Sequence, residues 1–379
     1  MTHLMNITKN VIEIKIVANK EIASAVLEDL EAIGIEYSNS TAGRRVLLQE
    51  RKGLFKMVGS DKSLVHDPIT IITFLISSEI EREILSFIIN KGGLDIPGRG
   101  TVFSKEVTLI KAHELCRENK IQNIEIEKRE LLTDLAGICC IAQSGEGNIF
   151  GKVGLETGSG VPAITLGTGT GVRDKIGFWR VTIPAEKEIV SLVTTSHHVE
   201  SVMEMMVDIG ALDQPGKGFI YLYPIKMGLV NMKAYVGLSS QAASIEQIVS
   251  VIDGIKGGSR WRQREFSKYP ASGKKKKYLN DLVNFTLICN EGRAADLTKA
   301  AMDAGAGGAT ISKLKYHCTE KSESKKISPA REISEMIISE NQIEGVVKAL
   351  EESGALDEDT YGQMFCSLVP KAYTYMGKA

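Results

Sequence analysis

The sequence predicts an α+β protein built from three tandem copies of one βαββαβ unit. The first observation is a glycine-rich marker that occurs three times in one register, because a fixed repeat implies a repeated structural unit. The marker reads GGLDIPGRG at residues 92–100, GALDQPGKG at 210–218 and GALDEDTYG at 354–362. The second observation is a front helix of equal length before a final glycine, at 19–34, 143–158 and 290–305. The third is hydrophobic periodicity, which assigns the elements between the markers.

Periodicity in the first copy defines the order of the elements. Isoleucines at positions 12, 14 and 16 alternate as in a strand, whereas apolar residues from Ile22 to Ile33 recur at helical spacing and stop at Gly34. Two strands, a helix and a last strand are then predicted at 46–49, 69–76, 80–88 and from 101. This order is the split βαβ, or ferredoxin-like, pattern. Such a sheet carries its helices on one face, so we expect the three bare faces to cover one another in a single-chain pseudo-trimer.

The repeats divide the chain into three domains and two connecting segments. The domains are expected at 10–107, 135–224 and 281–372. Residues 108–134 are expected to form a charged linker, and residues 225–280 an extension followed by a basic linker. Residues 256–277 of the latter carry nine Lys or Arg and one acid, which gives a net charge of +8 and is typical of a solvated linker.

Composition restricts the classes of function. The net charge of -1 gives the whole molecule no electrostatic attraction to nucleic acid, so sequence-specific nucleic-acid binding is not expected. The longest apolar stretch, residues 69–76, is far shorter than a bilayer requires, and the N-terminus lacks the pattern of an export signal. We therefore expect a cytoplasmic protein, in which the six scattered cysteines are buried free thiols.

No catalytic or metal centre is expected from the sequence. Neither a Ser/His/Asp or Cys/His arrangement nor a carboxylate pair recurs at consistent positions in the copies. His197 and His198 could bind a metal, but their position favours the start of a helix. The sequence therefore predicts a non-catalytic protein.

The middle copy resembles the PII family of nitrogen-regulatory signalling proteins, from Gly158 through GTGTGVR at 167–173 to LDQPGKGFIY at 212–221. In that family two glycine motifs hold the phosphates of an adenine nucleotide in a cleft between the subunits of a homotrimer. The resemblance implies that ATP, ADP or AMP, with or without Mg²⁺, is an effector here, and that a partner protein such as a membrane transporter or an enzyme is regulated. The implied nucleotide-binding residues are Gly169, Thr170, Gly171, Val172, Arg173, Gly216, Lys217, Gly218, Gly98, Arg99 and Gly100.

Elementary chemistry supports glycines in this role, since they allow successive N–H groups to converge on an anion. Each Gly-x-Gly can also be no more than a tight turn. The family's lysine after the second motif is replaced by Thr101, Phe219 and Gln363.

The three copies are unequal. The first has Arg44-Arg45, and the third Tyr316-His317, in the region of the middle copy's glycine run. We therefore expect one nucleotide site, built mainly by the middle copy with help from a neighbour, in a monomeric pseudo-trimer. The alternative is a CutA-like trimeric module that binds a metal or small molecule without nucleotide sensing.

Overall fold

The computed structural model describes residues 8–50, 62–116, 119, 126–171, 186–231, 235–236, 276–318 and 326–376. These residues form six α-helices and a large, mainly antiparallel sheet, so the expected mixture of helices and strands is confirmed. Among them, no helix combines the length and apolar character needed to cross a bilayer. Most of the expected extension and basic linker, residues 225–280, lies outside the described residues.

The element order strand, helix, strand, strand, helix, strand occurs three times, in what we call the first, second and third segments. The first segment contains β1 Thr8–Ala18, α1 Lys20–Ala32, β2 Ser38–Glu50, β3 Lys62–Ser77, α2 Glu81–Gly92 and β4 Gly100–Ala112. The second contains β5 Leu135–Gln143, α3 Gly147–Glu156, β6 Ala163–Gly171, β7 Glu186–Thr195, α4 Val199–Ile209 and β8 Gly218–Pro224. The third contains β11 Leu282–Asn290, α5 Ala294–Asp303, β12 Gly308–His317, β13 Ala330–Ser339, α6 Ile343–Glu352 and β14 Gln363–Val369. Short strands follow the second and third segments: β9 Met227–Asn231, β10 Tyr235–Val236 and β15 Ala372–Thr374.

The strands of each segment pair in the same spatial order. In the first segment the order is β2-β3-β1-β4, and β6-β7-β5-β8 and β12-β13-β11-β14 repeat it. One face of each sheet packs on its two helices: Ile12, Ile14 and Ile16 of β1, for example, share a core with Val26 and Leu30 of α1. Helix α1 begins at Asn19, whose side chain accepts a hydrogen bond from the Ile22 N–H at 3.0 Å, as a good N-cap does.

The segments also join edge to edge, because the chain at the end of each last strand, or just after it, pairs with the last strand of a neighbour. Strand β9 pairs with β4, β15 with β8, and the end of β4 with β14. The register is the same each time: one residue past the final glycine of one marker pairs with the residue twelve positions past the final glycine of another. Thr101 pairs with Val230, which is twelve residues after Gly218. In the same way Phe219 pairs with Thr374, twelve after Gly362, and Gln363 pairs with Ala112, twelve after Gly100.

A second set of contacts joins the second strands of the segments. The end of β6 pairs with the start of β12, the end of β12 with the start of β2, and β2 with the start of β6. Representative pairs are Gly171 with Gly308, His317 with Ser38 and Arg45 with Ala163. Each segment thus pairs with both others, and the joint between them is repeated three times.

Three strands of the first segment are longer than expected. Strand β2 covers residues 38–50 rather than 46–49, β3 covers 62–77 rather than 69–76, and β4 continues to Ala112, five residues past the expected domain end. Residues 38–45 are polar, so no hydrophobic alternation marks them as a strand. Their backbone is paired because β3, β6 and β12 lie beside them, which is a tertiary effect.

Candidate functional site

An open cleft of about 400 Å³ lies between the second and third segments. The second segment contributes the ends of β5 and β6, the start of β7 and the Gly-x-Gly turn before β8. The third contributes residues 307–310, at the start of β12, and two side chains of β13, Glu335 and Ile337. The volume falls within the range of small-molecule sites, about 300–1,000 Å³.

Four of the predicted residues line this cleft: Gly169, Thr170, Gly216 and Gly218. Gly171 pairs with Gly308 at its margin. The structure therefore brings the two glycine motifs of the middle copy together, although they are more than forty residues apart in the chain. Predicted residues Val172 and Arg173 lie outside the described residues.

The predicted Lys217 lies in the turn between Gly216 and Gly218. Its ammonium forms an ion pair with Glu146 at 2.8 Å. This pair fixes the lysine beside the cleft and reduces the positive charge that it offers to a ligand.

The remaining predicted residues, Gly98, Arg99 and Gly100, lie at the corresponding turn of the first segment and not in the open cleft. The Gly98 carbonyl accepts a hydrogen bond from Arg45 Nη1 at 2.7 Å. Arg99 Nε donates to the Gly92 carbonyl at 2.9 Å, which holds its side chain against its own segment. The structure thus separates these three residues from the middle-copy glycines.

The turn at residues 216–218 depends on glycine. Gly216 has φ +75° and Gly218 has φ +150°, both in the region that side chains disfavour, and a Cβ at Gly218 would collide with the Ile141 carbonyl. Gln143 Nε2 donates to the Gly216 carbonyl and Thr374 Oγ1 to the Gly218 carbonyl, each at 3.0 Å. The turn is therefore held in one shape by its own segment and by β15, which follows the third segment.

The walls of the open cleft combine apolar and polar groups. Ile141, Phe219 and Ile337 supply apolar surface that suits a flat ring. Lys187 is the one cationic side chain among the described lining residues, and Glu335 is the one anionic side chain. The Glu335 carboxylate accepts a hydrogen bond from Asn284 Nδ2 at 2.9 Å, which orients it. The cleft can thus accommodate a ligand with an apolar ring and an anionic group.

The equivalent cleft between the first and second segments, the narrow cleft, retains about 30 Å³. The position of Gly169, eleven residues after the glycine that ends the front helix, is occupied there by Arg45. The Arg45 side chain is buried and reaches the Gly98 carbonyl at 2.7 Å and Asp67 at 2.6 Å. In the narrow cleft Val161 occupies the position that Gly308 has in the open cleft. Larger side chains thus replace the two glycines and fill the space.

The third equivalent, between the third and first segments, holds a buried arginine; we call it the plugged cleft. Arg331 pairs with Asn290 across the strands as Lys187 does with Gln143. Its guanidinium donates to Asn290 Oδ1 at 2.6 Å, to the Tyr37 hydroxyl at 3.1 Å and to the Tyr361 carbonyl at 2.7 Å. The Arg331 guanidinium is therefore bound by groups of the protein itself, and its positive charge is not offered to a ligand.

The plugged cleft is also filled by aromatic rings and by chain that follows β4. Tyr316, at the position of Gly169, packs on Tyr37, at the position of Gly308, with ring centroids 5.0 Å apart. Asn119 accepts from the Tyr37 N–H at 2.8 Å and donates to its carbonyl at 2.9 Å. The carbonyl of the buried Cys116 accepts a hydrogen bond from Gln363 Nε2. This part of the expected linker 108–134 therefore occupies a cleft.

Sequence reasoning missed Lys187, Thr310 and Glu335, which also line the open cleft. Each is a polar residue within or near an apolar strand, and that polar position is the sequence signal that could have indicated it. The glycine motifs alone drew attention to the middle copy, whereas two of these residues belong to the third.

Within the described part of the chain, no group of three or more His, Cys, Asp or Glu side chains could hold a metal ion. No protein-family model matches this chain, and no curated protein is significantly similar to it.

Proposed function

We propose that this chain is a non-catalytic regulatory protein of the PII type. In this proposal its segments are three ferredoxin-like domains in a single-chain pseudo-trimer, and the open cleft binds one adenine nucleotide. Occupancy of the cleft would then regulate a partner protein, such as a transporter or an enzyme, from the cytoplasm. The repeated strand order and the two repeated inter-segment registers support the pseudo-threefold arrangement.

The observation that carries the nucleotide proposal is the inequality of the three clefts. The open cleft lies where Gly169 meets the turn at 216–218, whereas the equivalent positions of Gly169 hold Arg45 and Tyr316. Three fused copies need not keep identical interfaces, so one cleft can retain a ligand site while the others become structural. The chain is therefore expected to bind one nucleotide, and not three.

The chemistry of the open cleft suits a nucleotide in two respects. Apolar side chains at Ile141, Phe219 and Ile337 can cover a base, and Thr310 and Glu335 can hydrogen-bond to its edge. Lys187 and the backbone of the glycine turns lie on the second-segment side, where they can receive phosphate. ATP, ADP and AMP, with or without Mg²⁺, are the candidate effectors.

The position of the cleft suggests how occupancy could be transmitted. Strand β6 ends at Gly171 and β7 begins at Glu186, so both ends of the intervening connection lie beside residues that line the cleft. A ligand in contact with Thr170 and Lys187 would touch both ends. We propose that this connection presents the signal to the partner.

Isothermal titration calorimetry of the full chain with ATP, ADP and AMP, each with and without Mg²⁺, tests the proposal. We expect saturable binding of at least one nucleotide with a stoichiometry of one per chain. The absence of binding for all three would refute it. Binding of Cu²⁺ or another divalent ion without nucleotide binding would favour the CutA-like alternative.

A further inference from the structure

A second, smaller space lies where the inner faces of the three segments meet. This central chamber of about 80 Å³ is lined by residues of all three segments. One water needs a cavity of roughly 10–15 Å³, so the chamber has room for several waters or one small solute. It adjoins the open cleft, because Glu335 lines both spaces.

The lining of the central chamber is unexpectedly polar for the inner face of a sheet. Glu13 and Lys105 are only 6% and 8% exposed and form an ion pair at 2.6 Å. Apolar residues of the same volume would commonly give an equal or greater free energy of unfolding than a buried ion pair. The polar lining is therefore better explained by a polar occupant than by stability.

The chamber wall contains an unsatisfied acceptor in the third segment and an excess of positive charge in the first. Asn284 is 2% exposed, and its Nδ2 donates to Glu335 Oε1 at 2.9 Å, which sets the orientation of the amide. Asn284 Oδ1 is consequently directed elsewhere and is buried without a hydrogen-bond partner. Lys15, from the first segment, also lines the chamber, where its charge and that of Lys105 act on the single carboxylate of Glu13. A buried acceptor of the third segment thus lacks a partner, and in the first segment two lysines share one carboxylate.

The charges around the chamber select the class of ligand. Lys15 and Lys105 balance Glu13 and Glu335, so a simple anion or a simple cation would meet as much repulsion as attraction. A molecule with both charges would be attracted at both places: its anionic end would approach Lys15, where two lysines share one carboxylate, and its cationic end Asn284 Oδ1 and Glu335. Hydroxyl groups from all three segments, including Thr41, also line the space.

We propose that the central chamber binds one small zwitterion of the size of glycine or alanine. The carboxylate would pair with Lys15, and the ammonium would donate to Asn284 Oδ1 and Glu335. This inference concerns a different space from the nucleotide site and shares only Glu335 with it, so glycine binding can be tested without nucleotide.

Calorimetry and thermal unfolding of the full chain without nucleotide test the proposal with five probes: glycine, alanine, leucine, acetate and glycinamide. We expect glycine and alanine to bind with a stoichiometry of one and to raise the melting temperature. Leucine should be excluded by size, and acetate and glycinamide should bind at least tenfold more weakly because each lacks one charge. Failure of glycine and alanine to bind, or acetate binding as tightly as glycine, would overturn the inference.

A variant locates the site. Lys15→Met keeps most of the aliphatic stem and removes the charge, so it should weaken glycine binding about tenfold or more while the fold, measured by circular dichroism, is retained. The matched control is Lys20→Met, at an exposed position at the start of α1. A folded Lys15→Met variant with unchanged glycine affinity would contradict the assignment of the chamber.

Discussion

Replacing Gly169 with tyrosine should close the open cleft without unfolding the protein. The third segment carries Tyr316 at the equivalent position, where the ring packs on Tyr37. In the open cleft the counterpart of Tyr37 is Gly308 of the third segment, which leaves room for the new ring. A Cβ at position 169 would lie 2.8 Å from Lys187 Cε, the far part of a flexible side chain that can move aside.

The magnitude follows from comparison of the clefts. The open cleft holds about 400 Å³, but the narrow cleft, where Arg45 replaces the glycine, holds about 30 Å³. A ligand that needs a site of roughly 300 Å³ or more cannot enter such a space. We expect nucleotide affinity to fall at least a hundredfold, or about 2.8 kcal/mol. The free energy of unfolding should change by less than about 1 kcal/mol, because tyrosine favours strands and the site is open to solvent.

Calorimetric titration with the nucleotide that binds best to the natural chain is the assay, with thermal unfolding as the test of folding. The matched control is Thr168→Tyr, which adds the same ring at an exposed neighbouring position on the opposite face of β6. Unchanged affinity in a folded Gly169→Tyr variant would refute the placement of the site. An equal loss in both variants would show that the effect is not specific to the cleft.

Three further predictions concern the clefts and the interior. Arg331→Met should lower the free energy of unfolding by about 3–5 kcal/mol in urea, since it leaves several buried acceptors in the plugged cleft unpaired; a loss below about 1 kcal/mol would contradict this account. Burial raises the pKa of Glu13, but the charges of Lys105 and Lys15 outweigh this effect and hold the pKa below its usual range. Ionised Glu13 therefore contributes its full share to the free energy of unfolding above about pH 4.3, and this contribution is lost as the pH falls through the lowered pKa. In Lys105→Met, where Glu13 loses its partner, stability should instead rise as pH falls from about 7 towards 5, which urea unfolding at several pH values would show; a pH dependence like that of the natural chain would count against it. A thiol reagent should modify half-buried Cys318 quickly and the five buried cysteines only on unfolding. Rapid modification of several cysteines in the folded protein would be inconsistent with the structure.

Local patterns explain why the order of elements was predictable. The helix expected at 19–34 corresponds to α1 Lys20–Ala32 with Asn19 as its cap, because amphipathic spacing and capping are properties of a short stretch of chain. The same reasoning failed for the polar half of β2. Its residues 38–45 form a strand only because strands of three segments lie beside them.

The site was predictable only on the side that carries glycines. The resemblance to the PII family implied that Gly169 and Gly216 would meet, and glycines at both motifs allow the backbone to come close to a ligand. Thr310 and Glu335, which complete the open cleft, stand in another repeat and have no local signature. The occupation of the plugged cleft by Cys116 and Asn119 was likewise absent from any pattern, because residues 108–134 read only as a charged linker.

The sequence by itself determined the three-fold repetition, the type and order of the elements and the inequality of the glycine motifs, because each is encoded in contiguous residues. Only the tertiary structure decided which clefts are open, narrow or plugged and brought Lys15 and Asn284 to the wall of one central chamber. Those features depend on side chains that are distant in the chain and become neighbours only when the three sheets pack together.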